Sequence, residues 1–145
     1  LKNIYAIAAG VAEGLNLGEN AKSALISRSF AEMTRYAKKF KADKNTLFGL
    51  SGLGDLILTC SSKNSRNTQF GIKLASSKYD NFLDLLKSQE VTEGYYTVKA
   101  VYNISQKKNI DMPIMESVYN ILYKQHDLKE ELSNLLNRPI TEEKI

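Results

Sequence analysis

Residues 4 to 15, Ile-Tyr-Ala-Ile-Ala-Ala-Gly-Val-Ala-Glu-Gly-Leu, constrain the fold more than any other stretch of the chain. Ile4, Ile7, Ala8, Val11 and Leu15 recur at helical spacing. Ala6, Ala9, Gly10, Ala12 and Gly14 make most of the remaining surface small. A glycine costs about 1 kcal/mol relative to alanine inside a helix. Two of them here imply a close neighbour, so the expectation is a buried helix with others packed tightly on it.

The remaining segments follow the same period. A second helix is predicted from Asn20, as N-cap, to about Phe40, with Ile26, Phe30, Met33, Ala37 and Phe40 as its apolar stripe. Lys38, Lys39 and Lys41 crowd its C-terminal end, where the helix dipole favours cations. "KADKN" reads as a linker, "TLFGL" as a short helical turn, and "SGLGDLILTCSS" as a helix starting near Ser51. "KNSRN" interrupts the pattern, with Asn64 or Ser65 placed to cap a helix running to about Ala75. "YDNFLDLLKSQ" suggests a short helix, and "VTEGYYTVKAVYNISQKKN" a loop leading into one, with Val98, Val101 and Ile104 inward and Asn109 as C-cap. Pro113 suits a first helical position, and Asp127 with Glu130 forms an acidic variant of the capping box for a last helix ending before Pro139. No segment of useful strand length alternates with period two. The chain is therefore expected to be all-α, a single multi-helix domain over residues 1–145 with about seven to nine helices.

Composition narrows the function classes. Cys60 and His126 are each alone, which rules out an internal disulfide framework and a structural zinc site and suits a reducing cytoplasm. No uncharged apolar run approaches the roughly 20 residues of a membrane span, and no signal-peptide pattern opens the chain. The chain opens on Leu1 rather than methionine, as expected of a processed product or a cut fragment. A net charge of +4 permits an anionic ligand. The basic residues are scattered among carboxylates without interleaved aromatics, so nucleic acid is not an expected partner.

Chemistry concentrates in "GLGDLILTCSSKNSRN", residues 52–67. Asp55 and Thr59 share a helix face, with Cβ atoms roughly 5–6 Å apart, and could hold a third polar group between them. Alternatively, Asp55 is solvated and Thr59 bonds back to its own helix. Ser65, Arg66 and Asn67 fall at a helix start, where unpaired N–H groups and the guanidinium fork suit phosphate or carboxylate; the other reading is a surface cap beside an exposed arginine. Lys2 and Asn3 precede a helix of apolar and small residues. A lysine held partly out of water can serve as acid or base, and the alternative is a frayed terminal lysine. Glu93, with Val91 before it and Gly94 after it, could reach a cofactor ribose or could simply favour a helix N-terminus. Cys60 reads as a small buried apolar residue, and the eight tyrosines as the edge of the core.

Taken together, "LKNIYAIAAGVAEGLNLGENAKSALISRSFAEM", "GLSGLGDLILTCSSKNSRN", "VTEGYYTVKAV" and "MPIMESVYNILY" resemble the C-terminal half of the bacterial-type NAD(P)-dependent glycerol-3-phosphate dehydrogenases. The resemblance runs from Leu1 to about Pro139, and its four motifs "LKN", "GLGDL-x-LTC", "SRN" and "EG" stand in the family's order. It implies an all-helical substrate domain whose partner is a Rossmann dinucleotide domain. The implied reaction reduces dihydroxyacetone phosphate to sn-glycerol 3-phosphate with NADH or NADPH, for glycerophospholipid synthesis.

By this resemblance Lys2 is the catalytic acid/base. Asn3 positions substrate, and Asp55, with Thr59 beside it, orients the substrate hydroxyl and the lysine. Ser65, Arg66 and Asn67 hold the phosphate, and Arg66, Val91 and Glu93 touch the cofactor. The roles fit the chemistry, because hydride transfer builds alkoxide character on an oxygen that needs a proton donor within roughly 2.6–3.2 Å. Phosphate held remotely supplies binding energy that positions the carbonyl.

No G-x-G-x-x-G after a strand occurs within the 145 residues, so NAD(P) is expected to be bound mainly by a Rossmann domain outside them, and the 145 residues alone to be inactive. An apolar face is expected where that domain would sit, along the first helix and near Glu93, with self-association of copies there as a corollary. Two rivals stand beside this reading: the helical domain of another hydroxyacid or phosphogluconate dehydrogenase, and a non-catalytic helical interaction domain.

Overall fold

The computed structural model of the chain describes residues 1–43, 45, 49–76 and 92–138. Every regular element among them is helical. The seven α-helices are α1 (Lys2–Gly14), α2 (Glu19–Lys39), α3 (Asp55–Ser61), α4 (Arg66–Ser76), α5 (Glu93–Lys108), α6 (Pro113–Tyr123) and α7 (Leu128–Leu136), and a π-helical turn over Leu50–Gly54 leads into α3. The expected all-α class is thereby met, while the helices read into "TLFGL" and "YDNFLDLLKSQ" and the stop at Pro139 lie wholly or largely outside the described residues.

α1 is the central helix, buried without a break from Ile4 to Ala12 and touching α2, α3, α4, α5 and α6. Its small residues make the contact with α4 a meeting of backbones. A Cβ on Gly10 would strike the Thr68 carbonyl, and one on Gly71 would strike the Ile7 carbonyl and stand 2.9 Å from Gly10 Cα. Gly14 lies against Ile72 and Ala75 in the same way. Residue numbers rise together along this contact, so α1 and α4 run parallel and begin at the same end of the molecule. The burial of α1 also corrects one expectation: no apolar face is left along it. The large apolar side chains left exposed sit elsewhere, among them Ile57 and Leu58 on α3 and Tyr96 on α5.

α2 begins two residues earlier than its sequence suggests, and its N-cap is Gly18 rather than Asn20. Gly18 takes φ +92°, a left-handed setting that glycine adopts without strain. The buried line of α2 is likewise rotated from the apolar stripe. Leu25, Ser29, Glu32 and Thr34 are buried with Phe30 and Ala37, whereas Ile26 and Met33 are half-buried and Phe40 is exposed. Polar groups can occupy this line because each is bonded. The Ser29 and Thr34 hydroxyls donate to the carbonyls of Leu25 and Phe30, at 2.7 and 2.9 Å. Glu32 accepts the N–H groups of Ile114 and Met115 at 2.8 and 3.0 Å. These are two of the donors that a helix start leaves without an internal partner, so Glu32 caps α6 from another helix.

α3 starts at Asp55 rather than Ser51, because the two glycines of Leu50–Gly54 belong to the π-helical turn. Pro113 opens α6 as expected. Asn109 closes α5 in the left-handed conformation, with the Ile110 N–H donating back to the Ser105 carbonyl. Val98 and Val101 face the core, but Ile104 is only half-buried and Ser105 takes the inward place. Asp127 holds the N-cap position of α7 without the side-chain bond of a capping box. Glu131, not Glu130, makes the tertiary contacts there, accepting from His126 at 2.8 Å and Asn120 at 3.4 Å. Four tyrosines bind α5 to α6: Tyr102 stacks on Tyr119, Tyr119 on Tyr123, and Tyr123 on Tyr95.

Candidate functional site

Lys2 is the first residue of α1, and Asp55 the first of α3. The Lys2 ammonium donates to Asp55 Oδ2 at 2.6 Å, so the lysine is held rather than frayed. Both side chains remain partly open to water, at 47% and 37% exposure, and within the described residues the lysine is not desolvated. Gly54 beside Asp55 has ordinary right-handed angles, φ −60° and ψ −44°, so the turn itself does not demand a glycine there.

Thr59 follows Asp55 by one turn and is half-buried; its carbonyl accepts the Thr68 hydroxyl at 3.1 Å, tying α3 to α4. Cys60 is buried, and burial pushes its thiol up to about 12, which suits a core residue and not a nucleophile.

The start of α4 carries Ser65, Arg66 and Asn67. The Ser65 hydroxyl accepts the Thr68 N–H at 3.4 Å, which makes it the N-cap. Arg66 is exposed and makes no hydrogen bond or ion pair among the described residues. Asn67 is buried and its Oδ1 is committed, accepting the Gly94 N–H at 3.0 Å. Glu93, the first residue of α5, accepts from the Asn3 amide at 3.5 Å. Val91 lies outside the described residues.

These contacts bring Lys2 to Asp55, Asn3 to Glu93, and Asn67 to Gly94. Four helices, α1, α3, α4 and α5, therefore begin at one corner of the molecule. The starts of α1, α4 and α5 present N–H groups without internal partners and the positive end of the dipole, whereas α3 continues from the π-helical turn. Here a lysine and an arginine without a partner among the described residues add full charges. Two carboxylates balance the lysine side of the corner and leave the guanidinium open. The arrangement can take an anionic group near Arg66 and can deliver a proton from Lys2.

Two features lay beyond sequence reasoning, one at the corner and one away from it. Gly94 is its crowded junction, and its bond to Asn67 spans residues far apart in the chain, with no local signal. Glu32 sits outside the corner as a fully buried carboxylate, held well above the usual range by burial, at about 7. Among the described residues no three His, Cys, Asp or Glu side chains gather as a metal site requires. No described helix is long and apolar enough to cross a membrane. An apolar cleft lies away from the corner, between the end of α1 and α7, lined by Leu15, Leu17, Leu132 and Leu136.

The family model for the C-terminus of NAD-dependent glycerol-3-phosphate dehydrogenase matches residues 1–133. The glycerol-3-phosphate dehydrogenase [NAD(P)+] of Solidesulfovibrio magneticus is 46% identical over 144 residues, covering 99% of this chain and 43% of the relative. That of Staphylococcus carnosus is 44% identical over 139 residues, covering 95% and 41%. The crystal structure of glycerol-3-phosphate dehydrogenase from Coxiella burnetii superposes with a TM-score of 0.88 at 40% identity, covering 95% of this chain and 42% of that one. The chain thus spans about two fifths of the length of these relatives.

Proposed function

Since the chain belongs to the NAD-dependent glycerol-3-phosphate dehydrogenase family as its C-terminal domain, we propose that it supplies the substrate pocket and proton donor of such an enzyme. The reaction proposed is the reduction of dihydroxyacetone phosphate to sn-glycerol 3-phosphate, a precursor of glycerophospholipids. The observation that carries this reading is the Lys2–Asp55 pair at 2.6 Å, set where four helices begin.

The residues do the following work. The Lys2 ammonium donates a proton to the carbonyl oxygen as that oxygen gains alkoxide character, and in the reverse direction the amine takes the proton from the alcohol. Asp55 holds the ammonium in place, and the Thr59 hydroxyl beside it offers a further contact to the substrate hydroxyl. Arg66 grips the phosphate as a planar fork. Ser65 and Asn67 complete that end, Asn67 through its NH2, since its Oδ1 is already bonded to Gly94. Asn3 orients the substrate from the side of Glu93.

The reduced nicotinamide cofactor, NADH or NADPH, would supply the hydride when bound and leave as NAD+ or NADP+. The residues at the corner fit the margin of such a group. Glu93 has acceptor capacity beyond its 3.5 Å contact with Asn3, enough for a nucleotide's hydroxyl or amide, and Arg66 has no partner among the described residues. Val91 is proposed to contact it as well. The rest of the cofactor would be held by a Rossmann-type domain outside these 145 residues. Leu58 and Tyr96, each exposed by two thirds, follow Asp55 and Glu93 at i+3 and lie on the same helix faces. We assign these two, with Ile57, to the surface that such a domain covers, and to self-association when it is missing.

The test is NADPH oxidation with dihydroxyacetone phosphate by the full-length gene product. Lys2→Met should lower kcat by about 10³-fold or more. Substrate binding, read by fluorescence or calorimetry, should survive. Undiminished turnover in that variant would overturn the assignment of Lys2. The 145 residues alone should show no NADPH oxidation. A substrate panel that includes other hydroxyacids and phosphogluconate separates this reading from other dehydrogenases.

A further inference from the structure

We infer that Gly94 and Asn67 act together as positioning residues, fixing the start of α5, and with it Glu93, relative to Lys2. The inference deepens the functional reading above and rests on it.

Gly94 is the second residue of α5, and its N–H is one of the donors a helix start leaves without an internal partner. The local cap does not serve it. Thr92 stands at the N-cap position, but its hydroxyl is buried and makes no hydrogen bond among the described residues. The acceptor comes instead from another helix, as Asn67 Oδ1 at 3.0 Å. Gly94 is also closed in by side contacts: a Cβ there would stand 2.6 Å from Ile7 Cδ1, 2.7 Å from Asn67 Oδ1 and 3.0 Å from the Asn3 carbonyl oxygen, so α1 and α4 both press on it. A third tie comes from α6, whose Tyr123 hydroxyl donates to the Tyr95 carbonyl at 2.6 Å while the two rings stack.

The first turn of α5 is therefore set by α1, α4 and α6 rather than by its own cap. Its location depends on the helix that carries Arg66 and on the helix that carries Lys2 and Asn3. The Asn67–Gly94 bond links the proposed phosphate end of the site to the proposed cofactor end. A shift of the α5 start changes where Glu93 stands relative to Asn3.

The experiment measures KM for NADPH and for dihydroxyacetone phosphate, with kcat, in the full-length gene product carrying Gly94→Ala, Asn67→Ala or Asn67→Asp. Helix content by circular dichroism identifies folded variants. Gly94→Ala removes no polar group but forces the turn outward. It should raise the NADPH KM about ten-fold and lower kcat, because a misplacement of about 1 Å already costs catalysis heavily. Its dihydroxyacetone phosphate KM should rise less than the NADPH KM, because the methyl crowds Asn67 while Ser65 and Arg66 keep their hold on the phosphate. Asn67→Ala removes the acceptor and should raise the NADPH KM likewise. Asn67→Asp keeps an oxygen toward the Gly94 N–H and should restore it, while setting a charge against the phosphate and raising the dihydroxyacetone phosphate KM.

A folded Gly94→Ala enzyme with an unchanged NADPH KM overturns the inference. So does failure of Asn67→Asp to restore the NADPH KM lost in Asn67→Ala. If Gly94→Ala does not fold, the two Asn67 variants decide on the same criterion. A dihydroxyacetone phosphate KM unmoved by both Asn67 variants, alongside the expected NADPH effect, removes Asn67 from the phosphate site and leaves its positioning role standing.

Discussion

The Glu32 carboxylate, wholly buried in α2, accepts the backbone N–H of Ile114 at 2.8 Å across 82 residues of sequence. Burial is the largest influence on this group and lifts it to about 7, against the opposing pull of its bonds from Ile114 and Met115 and of the nearby Arg35 charge. Burial first, and then the same carboxylate, hold the Tyr5 hydroxyl well above its ordinary range.

A pH signature follows. A carboxyl whose folded value lies above its unfolded value of about 4.5 favours the native state fully below that pH. The contribution is lost as pH rises toward about 7 and is constant beyond it. Glu32→Gln is neutral throughout, so the stability of wild type relative to this variant should fall between pH 5 and 8, by on the order of 3 kcal/mol. Urea unfolding of both proteins at the two pH values measures this, and parallel behaviour would show that Glu32 titrates as an ordinary carboxylate.

Catalysis and stability should separate at the Lys2–Asp55 pair. Both groups are more than a third exposed, and such pairs contribute at most about 1 kcal/mol to folding. Asp55→Asn should therefore leave the thermal midpoint nearly unchanged while lowering kcat of the full-length gene product by about 10²-fold or more. A large drop in midpoint with activity intact would reverse the assignment.

Glycines at two places should respond oppositely to their surroundings. Gly71→Ala drives a methyl into the Ile7 carbonyl and to 2.8 Å from the Val11 nitrogen, both backbone atoms that have little room to yield. The cost should be about 2–4 kcal/mol despite alanine's better helix propensity. Gly18→Ala meets nothing within 4 Å and suffers only from φ +92°, a cost nearer 1 kcal/mol. Thermal unfolding of the two variants compares them directly.

The exposed side chains of α3 give a test in solution. If Ile57 and Leu58 form a surface meant to be covered, the 145-residue chain should self-associate at high concentration, and Ile57→Ser with Leu58→Lys should suppress it. Sedimentation velocity across a concentration series reads this; identical behaviour of both proteins would place the association elsewhere.

Much of the fold was legible because its signals are local. The small residues of α1 announced a tight crossing, and Pro113 and Asn109 marked a helix start and a helix end through their own backbone preferences. The errors fell where the deciding partner is distant. Nothing near Glu32 indicates that it caps α6, so the buried line of α2 was read as apolar and one position off. The Asp55–Lys2 pair spans 53 residues, and spacing alone left Asp55 readable as a solvated acid; only the family resemblance suggested that it meets Lys2. Gly94 was legible as a helix start, but its anchors belong to α1 and α4, and no periodicity in its own segment records them.

Because α1 and α4 lie side by side in the same sense, their dipoles add instead of cancelling. The folded chain consequently directs a standing electrostatic field outward from the end where Lys2 and Arg66 lie, before any ligand arrives. Phosphorylated molecules diffusing past would be steered toward that end, so their capture rate should decline steeply with ionic strength even where turnover once bound does not.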